Sequence, residues 1–144
     1  MSYTLDVNVL LYASDVSSSV HAKARDAVQR LADGPEIAYL FWPTVLAYLR
    51  VATHPSVFAH PLSMVEAVGN VEQLLARPHV QTTGESETFW RSFRDVTDDA
   101  LPSGNLVPDA HLVTLMLENG VRTIWTRDRD FRRFPRIETL DPFA

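Results

Sequence analysis

Short apolar runs of β-compatible residues alternate, along the whole chain, with segments whose apolar residues recur at helical spacing. That alternation predicts an α/β fold: a parallel sheet with helices on both faces. The opening run is YTLDVNVLLYA (Tyr3 to Ala13), with Asp6 at or just after the end of its strand. A fully buried second strand is expected at Ile37 to Trp42, and a short third at His79 to Thr83. A fourth is expected at Val121 to Thr126 and a weak last one at Ile137 to Pro142. Helical spacing covers His21 to Leu31, and a helix follows Pro43 with Val45, Leu46, Leu49 and Ala52 on its inner face. Ser63 is placed to cap a helix carrying Val65, Val68, Val71, Leu74 and Leu75, and Ser86 to start one carrying Phe89, Trp90, Phe93 and Val96. Asp98 to Asn105 reads as the longest polar loop. Val107 to Gly120 is the clearest helix, with Pro108 in its first turn, Gly120 as its stop and an apolar surface nearly all round. Residues 1–144 contain no repeat, low-complexity segment or linker and read as a single domain.

Composition narrows the chemistry. The chain has 144 residues, 46 % of them hydrophobic, enough to bury a core. It has no cysteine, which excludes a disulfide framework and any thiolate ligand or nucleophile. None of the five histidines forms a His-x-x-x-His pair. No stretch approaches the roughly 20 apolar residues of a membrane span. The opening lacks a basic region and is interrupted by Asp6 and Asn8, so no signal peptide is expected and a cytoplasmic protein is the simplest reading. The formal net charge of −5 argues against coating nucleic acid by bulk electrostatics. It leaves room for an enzyme whose acids hold a metal while local arginines contact phosphates.

Ligands of open parallel sheets bind beyond the carboxyl ends of the strands. Asp6 follows the first strand, Asp128 follows the strand ending near Thr126, and Asp109 opens the buried helix. Helix starts and strand ends share one edge in this architecture, so three carboxylates from distant points can converge there. Unpaired, they would raise one another's pKa values. A divalent cation removes that conflict; Mg²⁺ and Mn²⁺ prefer oxygen ligands, and either could activate water and stabilise charge on a phosphodiester. Plainer readings exist for each. An Asp after a strand is commonly a turn residue or cap, Asp109 gains from the helix dipole alone, and Arg127, Asp128, Arg129 and Asp130 could form a solvated ion-pair network. Asp6 is the sharpest case, because a carboxylate inside an apolar run is expensive unless something binds it.

With those residues in view, the chain resembles the PIN-domain ribonucleases, in particular the VapC toxins of type II toxin–antitoxin systems. LDVNVLLYA resembles their first-strand motif, with Asp6 and Asn8 in place. FWPTVLAYLRVATHP resembles the second strand and helix of one subgroup, and the stretch from Ser103 to Pro135 resembles the C-terminal half, with acids at Asp109 and Asp128. The resemblance implies a three-layer α/β/α sandwich with a four- to five-stranded parallel sheet. It implies Mg²⁺- or Mn²⁺-dependent cleavage of RNA, often tRNA or ribosomal RNA, a VapB-type antitoxin that blocks the site, and a homodimer of toxins within a toxin–antitoxin hetero-oligomer.

Many PIN domains carry a Glu on the helix after the second strand; here that position is Ala47. The resemblance therefore assigns catalysis and metal binding to Asp6, Asp109 and Asp128, with Asp130 either substituting for the missing acid or capping its loop. Asn8 would orient Asp6 or serve a plain turn, and the Thr126 hydroxyl would contact Asp6 or a phosphate. Arg127, Arg129, Arg132 and Arg133 are candidates for gripping RNA, surface charge or antitoxin contact, with Arg50 a weaker one. Trp42 and Trp125 read as core and His111 as a satisfied polar residue. Lacking the Glu, the chain has an alternative reading as a catalytically weak module that mainly binds its antitoxin. A phosphatase of the haloacid-dehalogenase type needs a second Asp where Asn8 stands, and a flap endonuclease needs more acids and a helical arch.

Overall fold

The computed structural model describes residues 1–144. Strands β1 (Ser2–Leu5), β2 (Ile37–Phe41), β3 (Val80–Thr83), β4 (Thr123–Trp125) and β5 (Glu138–Leu140) form one sheet in the order β3-β2-β1-β4-β5. Every neighbouring pair is parallel. The helices are α1 (Val7–Ser14), α2 (His21–Asp33), α3 (Trp42–Ala52), α4 (Met64–Leu75), α5 (Phe89–Ala100) and α6 (Leu106–Glu118), with a 3-10 turn at Arg129–Arg133. Successive strand residues face opposite sides of the sheet. Leu5, Ala38 and Leu40 accordingly pack with residues of α1 to α4, whereas Phe41 and Ile124 pack with α5 and α6. Two apolar layers cover the sheet, which gives the expected three-layer α/β/α sandwich.

Local chemistry sets the element boundaries. Ser63 and Glu66 form a reciprocal capping box at the start of α4. Gly120, at φ +70°, closes α6: its N–H donates to the Leu117 carbonyl and that of Val121 to the Met116 carbonyl. Glu118 near the end of α6 accepts hydroxyl hydrogen bonds from Ser86, Thr88 and Ser92 (2.8, 2.8 and 3.0 Å), tying the segment after β3 to this helix.

Several boundaries depart from the sequence-based expectation. The opening run divides at Asp6, because the Asp6 side chain caps a helix, α1, which starts at once. Ser86 does not start a helix; α5 begins at Phe89, and Ser86 instead donates to Glu118. Asp98 and Asp99 belong to α5, which continues to Ala100. Trp42 is not core but 43 % exposed in the first turn of α3, and Leu46 and Val65 also face outward. Apolar periodicity marks a helix without stating which of its apolar residues meets a neighbour.

Candidate metal centre

The chain builds β1, then β2 and β3 to one side, and crosses back to place β4 on the other side of β1. The crevice beyond the carboxyl ends of β1 and β4 is thus a topological switch point. The register Leu5↔Trp125 brings Asp6 and Thr126 together there, although 120 positions separate them.

Asp6 is 7 % exposed and caps α1. One carboxylate oxygen accepts the Asn8 backbone N–H at 3.2 Å; the other accepts the Thr126 hydroxyl at 2.9 Å and the Asn8 amide at 3.5 Å. The Thr126 hydroxyl in turn accepts the Asp128 N–H at 2.9 Å. Asp128 caps the 3-10 turn by accepting the Asp130 N–H, also at 2.9 Å. Asp109 projects from the first turn of α6. One buried threonine therefore links the Asp6 carboxylate to the loop that carries Asp128 and Asp130.

Asp109, Asp128 and Asp130 place carboxylate oxygens within 4.8 Å of one another. Opposed ligands of one octahedral Mg²⁺ lie roughly 4.2 Å apart, at bonds of about 2.1 Å, so the three acids stand near the spacing such an ion imposes, and their all-oxygen donor set suits it. Asp6 stands beside this trio rather than inside it. It is close enough to raise the pKa of Asp109 and is itself engaged by Thr126 and Asn8. Burial pushes the Asp109 carboxyl up to about 7, and repulsion from Asp128, Asp6 and Asp130 adds to it. Burial likewise raises Asp6, Asp128 adding to the effect, against the lowering hydrogen bonds of Asn8 and Thr126. Accumulated negative charge of this kind favours a bound cation.

Ala47 is half-buried on α3 and offers no donor. Arg127, Arg129, Arg132 and Arg133 are exposed, and none pairs with a carboxylate within 4.0 Å, so the alternating charges are not an ion-pair network. Arg50 is exposed near the end of α3. His111 pairs with Glu85 at 2.6 Å, as a satisfied polar residue should. Asp6, Asn8, Arg127 and Asp128 line an open depression of about 390 Å³ together with Tyr12 and Phe143. Those two aromatics were not singled out from the sequence; only proximity in space marks them.

No family model matches the chain. The chain is 51 % identical to Ribonuclease VapC48 of Mycobacterium tuberculosis over 144 residues, 100 % of this chain and 99 % of that protein. Its fold is similar to VapBC2 of Rickettsia felis, solved bound to a DNA fragment from their promoter (TM-score 0.67, 15 % identity, 97 % of this chain and 98 % of that one). It is similar again to VapC20 of Mycobacterium tuberculosis, described as a sarcin–ricin loop cleaving toxin (TM-score 0.67, 12 % identity, 94 % and 97 %). Identity of this extent over the full length carries more weight than the fold alone: the chain belongs to the VapC ribonucleases, the PIN-domain toxins of toxin–antitoxin systems.

Proposed function

We propose that this chain is an endoribonuclease that uses a divalent cation, Mg²⁺ with Mn²⁺ as substitute, to hydrolyse phosphodiester bonds in structured RNA. The observation that carries this reading is the convergence of Asp109, Asp128 and Asp130 beside a buried, hydrogen-bonded Asp6. The three clustered acids would hold the ion, with Asp6 joining them at its edge. When bound, the cation supplies the positive charge that activates water and offsets charge on the phosphodiester. Thr126 and Asn8 orient Asp6, and Thr126 fixes the loop of Asp128 through its backbone. Arg127, Arg129, Arg132 and Arg133 are free of carboxylate partners and available to phosphate oxygens.

The similarity to a sarcin–ricin loop cleaving toxin supports ribosomal RNA as a target; tRNA rests on the family resemblance alone. The similarity to VapBC2 supports a VapB-type antitoxin partner; the toxin homodimer within a hetero-oligomer and the cytoplasmic location rest on the family resemblance alone. No helix is long and apolar enough to cross a membrane. The binding-only alternative is not favoured: an acidic cluster forms without a Glu at position 47, because Asp130 joins it.

The test is RNA cleavage by purified wild type, Asp6→Asn and Asp109→Asn with Mg²⁺ present. Loss of at least about a hundredfold in rate is expected for each variant, given how much transition-state charge such a site stabilises. Folded variants that cleave at the wild-type rate would refute the assignment.

A further inference from the structure

A cavity of about 290 Å³ opens among α1, α2, α3 and α4. That is close to the lower end of the roughly 300–1,000 Å³ that small-ligand pockets span. Leu10, Val28, Leu40, Val45, Val71 and Leu74 supply its apolar walls. It shares no residue with the depression that contains Asp6 and Asp128. Helix α1 divides the two, giving Leu10, Ala13 and Ser14 to this cavity and Asn8, Val9 and Tyr12 to the other.

Its polar groups are of two kinds. Tyr48 is buried; its hydroxyl lies 2.7 Å from that of Ser14 and accepts the Asn70 amide at 3.0 Å. These three satisfy one another. Arg25 and Arg77 are different. Both are exposed and line the cavity, and neither has a carboxylate within 4.0 Å, although Asp26 follows Arg25 in sequence. They are the only charged residues among the fifteen that line it, so the cavity is cationic in a chain whose net charge is −5. An apolar enclosure beside two unpaired guanidinium groups complements a molecule that is apolar at one end and anionic at the other. Guanidinium offers the forked N–H donors that match a carboxylate.

We propose that this cavity is a binding site for a small amphipathic carboxylate, with the apolar body enclosed by α1 to α4 and the carboxylate held by Arg25 and Arg77. A neutral apolar molecule would gain nothing from the two arginines, and a cation would be repelled by them. An inorganic anion would bury no apolar surface. The volume limits the ligand to on the order of ten non-hydrogen atoms, at the ~30 Å³ that a water molecule takes in the liquid. The site is independent of the ribonuclease reading, because none of the clustered acids lines it.

The experiment titrates the full-length chain with octanoate and follows the methyl resonances of Val28, Val71 and Leu74 by NMR. Wild type should bind with saturation at a Kd below about 1 mM, as expected of a ligand of this size. Octylammonium, with the same chain and the opposite charge, should bind at least about tenfold more weakly, and octanol likewise. The double variant Arg25→Gln, Arg77→Gln should weaken octanoate about tenfold or more and leave octanol unchanged. Val71→Phe, which fills the cavity, should abolish octanoate binding. Because Arg25 and Arg77 are exposed, the charge variants decide the matter even if Val71→Phe folds poorly. The proposal is overturned if octanoate gives no saturable shift at these methyls, which would leave the cavity to a side chain of a protein partner or a second copy. It is overturned equally if octylammonium binds as well as octanoate, or if the double variant binds octanoate as wild type does.

Discussion

Thr126 donates its buried hydroxyl to Asp6 across 2.9 Å and receives the Asp128 N–H at the same distance. A single side chain thus holds one acid and the loop of two others. Thr126→Val keeps the shape and removes both hydrogen bonds. It should cost about 1–3 kcal/mol of stability, because a buried acceptor and donor lose their partners. It should also raise the Mg²⁺ concentration for half-maximal cleavage by roughly 10- to 100-fold, whereas Thr126→Ser should stay near wild type. Urea unfolding and metal-dependent cleavage rates check the two effects separately.

Asp109 couples the site to pH. Its folded-state carboxyl is raised from an ordinary 3.8 to about 7, so between those values the folded protein binds more protons than the unfolded chain. Stability without metal should therefore fall as pH rises through that window. Asp109 is about half-exposed, so solvent screening reduces the effect to the order of 1 kcal/mol. Asp109→Asn should make this slope shallower, leaving the smaller contribution of Asp6, and be the more stable protein at pH 8 in EDTA. Urea midpoints at pH 4.5 and 8 would show it; a wild-type midpoint that rises over this range beyond that of the variant would contradict it.

Asp130 offers a cleaner probe than Asp128. Asp128 caps the 3-10 turn, whereas the Asp130 carboxylate accepts no hydrogen bond within the protein. Asp130→Asn should leave the melting temperature in EDTA within about 1 °C while raising the Mg²⁺ requirement about tenfold. Unchanged metal dependence would make Asp130 a bystander and leave the missing Glu uncompensated.

Away from the site, Leu101 ends α5 in the left-handed region at φ 48° and is 77 % exposed. Leu101→Gly removes that strain and should stabilise by about 1 kcal/mol, or ~3 °C in melting temperature, without altering cleavage. Scanning calorimetry decides it.

How much of this was legible follows from where each signal resides. Strand and helix alternation placed Asp6, Asp109 and Asp128 at one sheet edge, because strand ends and helix starts are local features. The membership of Asp130 in the cluster was left open, since two acids in one short turn can face either way. That α1 begins directly after Asp6 was hidden, because VNVLLYA suits a strand or a buried helix equally well. The exposure of Trp42 was invisible for a related reason: composition marks apolar residues but not which of them the fold covers. Arg127 and Phe143 meet only after the sheet brings β4 and β5 together, so no spacing in the sequence announces their contact.

Binding of a divalent cation by these acids is the central claim. Its most direct test is Mn²⁺ binding to the purified protein, followed by loss of the free-ion paramagnetic resonance signal. Wild type should bind Mn²⁺ with saturation, and Asp109→Asn should bind it at least about tenfold more weakly. Equal binding by both proteins, or no saturable binding by wild type, would contradict the account.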